Sequence, residues 1–228
     1  MALILSIETS TTECSVAISD KGKVVVYEKL FLEKSHANLL TLAIESVASH
    51  ANIELADLDA IAVSKGPGSY TGLRIGVSTA KGLCYALDKP LIAINTLKAM
   101  ADEVNCFNTH NMLLSPMIDA RRMEVYTALF DADLNEIKGT SAKILDEHSF
   151  DETLESTNVL FFGNGSNKFQ ELVQNKTAAH FIDNVSPSAD AVGRLAFESF
   201  NNGTFEDVAY FEPFYLKDFK ATTPKKLL

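Results

Sequence analysis

The stretch SKGPGSYTGLRIGVSTAKGLCYALDKP, residues 64–90, decides how this chain is read. It opens like a phosphate-binding loop and continues as a helix rich in small residues. A G-x-x-x-x-G-K-[ST] loop fails: counted from Gly66 the second glycine position holds Thr71, and from Gly68 it holds Leu73. A G-x-G-x-x-G loop fails by one residue, because Gly72 follows Gly66 and Gly68 one position late. At about 100° per residue the following helix has three stripes. Leu73, Val77, Ala80, Cys84 and Leu87 form a core face. Arg74, Ser78, Lys81 and Tyr85 form a polar face. Gly72, Gly76, Thr79, Leu83 and Ala86 form a third stripe beside the core. Two glycines inside a helix cost roughly 2 kcal/mol against alanine, so close approach of another element is expected there. That element is either a neighbouring helix of the same chain or a partner protein.

Working outward, Ala2–Ile7 is a continuous apolar run and reads as a buried strand. Cys14–Ser19 and Lys23–Leu30 are two more strands around the turn Asp20-Lys21-Gly22. SHANLLTLAIESVASHA follows as a helix with Ser35 as N-cap. Leu40, Ile44, Val47 and Ala51 make one face of it, and Leu39, Leu42 and Ala43 extend the apolar surface beyond a single stripe, so burial on two sides is expected. Leu58–Val63 and Pro90–Ile94 are strands on either side of the glycine loop and its helix, and Thr96–Val104 is a short helix. After a polar junction at 105–111 the plan restarts. Strands are expected at Leu113–Asp119, Met123–Asp131, within Glu136–Leu145 and at Asn158–Phe162. A helix then runs from Gly163-Asn164-Gly165 to about Gln174, and a last one from Pro187, placed near its first turn, to Phe200. The order implies α/β layers in two similar lobes, residues 1–107 and 108–228.

The chain of 228 residues, 46% apolar and 22% charged, has the composition of a globular protein. A net charge of −10 disfavours direct binding of nucleic acid. The one basic feature is the tail with Lys217, Lys220, Lys225 and Lys226. Cys14, Cys84 and Cys106 are far apart and form no metal-ligand spacing, which fits a reducing, cytoplasmic setting. The N-terminus lacks the basic n-region of a signal peptide, and no window is long enough to span a membrane.

Catalytic groups are sparse. None of His36, His50, His110, His148 and His180 has a second histidine at i+4, so HExxH and HxxxH metal motifs are missing. No G-x-S-x-G elbow occurs; Gly163-Asn164-Gly165-Ser166 does not fit. Asp119-Ala120-Arg121-Arg122 is the most charged turn, either a surface hairpin with paired charges or an acid facing a cleft.

ILSIETST, GPGSYTGLRIGVSTAKGL, MIDARRMEVYTALF, PSADAVGRLA and EPFYLK are spread over nearly the whole chain. Together they resemble the TsaB family of tRNA threonylcarbamoyladenosine biosynthesis proteins. The resemblance implies an actin-like (ASKHA, ribonuclease H-like) fold with two lobes of mixed sheet flanked by helices. It implies a cytoplasmic, non-catalytic subunit without cofactor or metal. Such a subunit docks and supports the paralogous TsaD transferase, together with TsaE, in moving a threonylcarbamoyl group to N6 of adenosine 37 of tRNA. Contact with tRNA comes only through the complex, and a homodimer forms in the partner's absence. The catalytic paralogue carries two metal-binding histidines in an N-H-x-x-x-H motif. The matching stretch here is Asn95-Thr96-Leu97-Lys98-Ala99-Met100, so Thr96 and Met100 stand where the ligands would be. Glu8-Thr9-Ser10 occupies the place of the acid-glycine phosphate turn of actin-like ATPases, with no glycine in it. The resemblance puts the partner interface on two helices, at His36, Leu39, Leu42, Ala43, Gly72, Gly76, Thr79, Leu83 and Ala86. The competing readings are a metal-dependent, glycoprotease-like peptidase and a small-molecule kinase on the same fold.

Overall fold

The structure, a computed structural model, describes residues 2–31, 36–174 and 176–217, and in the first helix the side chains from position 39 onward. The first half runs β1 (Leu3–Glu8), β2 (Glu13–Asp20), β3 (Lys23–Phe31), α1 (His36–Ala51), β4 (Ala60–Gly66), α2 (Tyr70–Leu87), β5 (Leu91–Asn95) and α3 (Thr96–Asn105). The second half runs β6 (Leu113–Asp119), β7 (Glu124–Phe130), β8 (Glu136–Ile144), α4 (Asp151–Leu154), β9 (Val159–Phe162), α5 (Ser166–Leu172), β10 (Ala179–Ile182) and α6 (Ala189–Asn201). The sheets have orders β3-β2-β1-β4-β5 and β8-β7-β6-β9-β10. In each, three strands form an antiparallel meander and the next two add in parallel. The second sheet repeats the topology of the first, with α4 reduced to a single turn in the place of α1.

Both central strands are apolar runs because both of their faces are covered. Leu3, Leu5 and Ile7 of β1 pack with Leu40, Ile44 and Val47 of α1 and Val77 and Ala80 of α2, while Ile4 faces Ala191, Val192 and Leu195 of α6. Local chemistry sets the helix starts. The Ser69 hydroxyl accepts from the Gly72 N–H, Asn95 Oδ1 accepts from the N–H groups of Leu97 and Lys98 at 2.9 and 3.1 Å, and the Ser188 hydroxyl accepts from the Ala191 N–H at 3.2 Å. The last cap corrects the expected start of the final helix. Pro187 lies one residue outside the cap rather than in the first turn.

Two helices change sides. Leu97, Met100, Ala101 and Val104 of α3, encoded in the first half, pack on Leu114, Ile118 and Phe162 of the second sheet. The α6 helix, encoded in the second half, packs on the first sheet, and Glu206 then bridges back to Leu91 of β5. The division expected at 107/108 therefore marks where the second sheet begins in sequence, but residues 189–217 largely belong to the first lobe in space. Arg194 of α6 ties the exchange together. Its guanidinium donates to Asp102 at 2.7 Å and Glu103 at 3.2 Å on α3, and to Asp190 at 2.5 Å on its own helix. Burial would lower its pKa, but Asp102 and Asp190 hold it up.

Candidate functional site

The two glycines that suggest a docking groove are occupied from within. Gly72 and Gly76 are buried, and a Cβ on Gly72 would lie 2.0 Å from the Thr9 carbonyl oxygen, one on Gly76 2.2 Å from Thr9 Oγ1. A Cβ on Gly68 would lie 2.4 Å from the Ser10 carbonyl oxygen. The element that approaches α2 is thus the Glu8-Thr9-Ser10 turn after β1. It is fastened by Thr9 Oγ1 donating to the Gly72 carbonyl at 2.8 Å and by the Ser69 N–H donating to the Ser10 carbonyl at 2.6 Å. This corrects the placement of Gly72 and Gly76 at a partner interface. Ala43, 2% exposed, is likewise part of the core. The side chain of His36, the Ser35 cap and the lysines at 220, 225 and 226 lie outside the described residues.

The remaining interface candidates keep an outward aspect. The α1 and α2 helices pack side by side on one face of the first sheet. On α1, Leu42 is 57% exposed and Leu39 half-buried; on α2, Thr79 and Leu83 are half-buried, Ala86 is exposed, and Tyr85 of the polar stripe is 86% exposed. The inner stripe, Leu73, Val77, Ala80 and Cys84, is buried as its periodicity requires. Burial pushes the Cys84 thiol up to about 12 and that of Cys14 up to about 11, so both are packing groups rather than nucleophiles.

The side of the first sheet that carries α6 has a polar floor. Glu8 is 1% exposed; burial pushes its pKa above the usual carboxylate range, opposed by hydrogen bonding to Ser10. The Ser10 N–H donates to Glu8 Oε1 at 2.5 Å. Ser6 and Glu8 alternate with apolar neighbours in β1, but the sequence does not show that Gly193 of α6 lies against Ser6 and Ser19. Thr96 and Met100 are 0% and 1% exposed; Met100 packs in the core of the second lobe, and its Cε would meet a Cβ placed on Gly163 at 2.6 Å. Among the described residues no group of three His, Cys, Asp or Glu side chains is arranged to hold a metal ion.

The equivalent turn of the second lobe is open. Asp119 is exposed and pairs with Lys168 at 2.6 Å, while its N–H donates to Asn164 Oδ1 at 2.9 Å and its Oδ1 accepts from the Arg121 N–H at 2.6 Å. Asp119 thus pairs with Lys168 of α5 rather than with the arginines of its own turn.

A doubled strand order of this kind, with helices exchanged between lobes and the β1 turn seated on the following helix, defines an actin-like, ribonuclease H-like protein. YeaZ from Pseudomonas aeruginosa has this fold, with a TM-score of 0.79 and 24% identity over 95% of this chain and all of that one. The family model for TsaD, tRNA N6-adenosine threonylcarbamoyltransferase, matches residues 31–225, and the chain belongs to this family. Curated relatives are the tRNA threonylcarbamoyladenosine biosynthesis proteins TsaB of Bacillus subtilis, 39% identical over 56% of this chain and 54% of that one, and of Escherichia coli, 36% identical over 59% and 57%. The chain spans about half the length of these curated relatives. No helix among the described residues is long and apolar enough to cross a membrane.

Proposed function

We propose that this chain is a docking subunit in the synthesis of N6-threonylcarbamoyladenosine in tRNA, without a transfer centre of its own. It seats the paralogous TsaD transferase on the outer face of α1 and α2. TsaE joins that pair in the cytoplasm, tRNA is reached only through the assembly, and the isolated chain covers the same face with a second copy. The observation that carries this reading is the α1–α2 face itself. Two helices fully committed to the core on their inner sides still expose Leu42 and Tyr85, at 57% and 86%, beside half-buried Leu39 and Leu83. Large apolar and aromatic side chains left in water on adjacent helices are what a protein interface covers. The absence of a transfer centre is supported by Thr96 and Met100, which offer neither an imidazole nor a carboxylate and whose side chains sit in the core. The names of the TsaB relatives support the pathway.

A reconstituted tRNA modification assay, with each subunit left out in turn, tests the proposal. Modification should require this chain together with the transferase and should be absent with this chain alone. Turnover of tRNA or of a peptide by the purified chain alone would contradict it and would favour the peptidase reading.

A further inference from the structure

After α6 the chain forms a strap, residues 204–217, laid on the first lobe. Val208 and Phe211 pack against the core beneath α1 and α2. The Glu206 N–H donates to the Leu91 carbonyl at 2.9 Å and the Phe214 N–H to the Lys65 carbonyl at 2.7 Å. Lys81 of α2 donates to the carbonyls of Ala209 and Phe211 at 3.2 and 2.8 Å. Gly66 lets the strap come this close: its φ is +109°, and a Cβ there would lie 2.8 Å from the Phe214 carbonyl oxygen. The Tyr215 ring then lies against Tyr70 in the first turn of α2, centroids 4.8 Å apart.

Two residues later the strap reaches the other lobe. Lys217 pairs with the Glu124 carboxylate at the start of β7, donates to the Ala120 carbonyl at 3.4 Å and lies 5.6 Å from the centre of the Tyr126 ring. Ala120 belongs to the charged turn Asp119-Ala120-Arg121-Arg122. Three stretches singled out in the sequence therefore meet here. GPGSYTG contributes Gly66 and Tyr70, MIDARRMEVYTALF contributes Ala120, Glu124 and Tyr126, and EPFYLK contributes Phe214, Tyr215 and Lys217. The docking role proposed above uses none of these contacts, and the inference below stands apart from it.

Chain geometry turns this meeting into a limit on movement. Lys217 follows Phe214 by three residues, so about 10 Å of extended backbone and one lysine side chain join the end of β4 to the β6–β7 turn. The first-lobe end of the tether is held by backbone hydrogen bonds and by the packing of Phe211. The second-lobe end is a single side chain, with Lys217 36% exposed and Glu124 24%. Partly exposed ion pairs break and re-form readily, so the tether lets go at Lys217 first. We infer that the strap is a clamp between the lobes. Lys217, seated on Glu124, Ala120 and Tyr126, keeps the β6–β7 turn of the second lobe close to the glycine loop of the first. Its release frees the lobes to move about the crossing helices α3 and α6.

The test places one spin label on each lobe of the full-length chain and reads the distance between them by pulsed electron spin resonance. Glu45→Cys on α1 and Glu155→Cys after α4 are exposed positions, taken in a Cys106→Ser background; Cys14 and Cys84 are buried. The parent should give one narrow distribution. Lys217→Ala and Glu124→Ala should each broaden it and displace its mean, and the two together should do no more than either alone, since both remove one contact. Amides of residues 214–217 should exchange about fivefold faster or more in Lys217→Ala. Salt at about 1 M should broaden the parent's distribution and leave that of Lys217→Ala as it is. Lys176→Ala, which removes the pair with Asp151 inside the second lobe, should change nothing. Equally narrow distributions in the parent and both clamp variants would overturn the inference and leave the lobe arrangement to α3 and α6 alone. Equal broadening in Lys176→Ala would reduce the effect to general loosening and overturn it as well.

Discussion

The two lobes solve the same topological problem with a similar backbone fit but a different degree of exposure. In each, a turn after the first strand meets a glycine-bearing loop that opens the helix after the fourth. In the first lobe the turn is buried and apposed backbone to backbone: Thr9 and Ser10 press into Gly68, Gly72 and Gly76, with no room for a methyl group. In the second lobe glycines again press on backbone, a Cβ on Gly163 lying 2.4 Å from the Met117 carbonyl oxygen and one on Gly165 3.0 Å from Ile118, but the turn is exposed and is held by side chains as well, Asp119 to Lys168 and the Asp119 N–H to Asn164. The glycine motif here seals a turn, and the proposed recognition face lies on the outward sides of α1 and α2.

Substitutions break that contrast in order of size. Gly76→Val should cost about 3 kcal/mol or more, because the added carbons collide with Thr9 on a packed sheet. Urea unfolding would register a lost or strongly shifted transition, and a mild effect would mean that the turn yields.

The next effect is a pH dependence. Burial raises the pKa of Glu8 in the folded state. A raised acid binds its proton more tightly when folded, so its stabilising contribution is complete below the unfolded value near 4.5 and is lost as pH climbs through the folded value. The slope is at most about 1.4 kcal/mol per pH unit for one group. Glu8→Gln should therefore flatten the decline of unfolding free energy above pH 4.5 relative to the parent chain. Parallel curves would remove Glu8 as the cause.

Gly82 gives the reverse sign. It is exposed on the same helix, and a methyl group added there would meet nothing within 4 Å. Gly82→Ala should therefore stabilise by up to about 1 kcal/mol, seen as a higher Tm. Smallest of all, Lys168→Ala should cost about 0.5 kcal/mol, and the loss should shrink in high salt.

Much of the architecture is legible in the sequence because period and punctuation agree. The apolar run of β1, the buried face of α2 at Leu73, Val77, Ala80 and Cys84 and the short helix α3 stand where spacing puts them. β10 escapes such a reading because Ala179–Ile182 is four residues long, half-exposed and set among turn residues, which leaves no alternation to read. The exchange of α3 and α6 escapes it because an amphipathic helix declares a buried face without declaring which sheet buries it. Gly72 and Gly76 mislead for a related reason. Their spacing announces close approach, but the approaching element, Thr9, is 63 and 67 positions away in sequence, and only the fold names it. The outer-face residues Leu42, Thr79, Leu83 and Ala86 are reached through family resemblance, since exposure is not written in a local pattern.

The most direct test of the docking claim is association with the transferase paralogue after the recognition face alone is altered. Leu42→Glu/Tyr85→Glu changes two exposed side chains and no buried contact. Sedimentation of the mixed proteins should show the heterodimer lost while the thermal transition of the variant stays at that of the parent chain. A heterodimer that forms with undiminished affinity would contradict the claim that α1 and α2 are the docking surface.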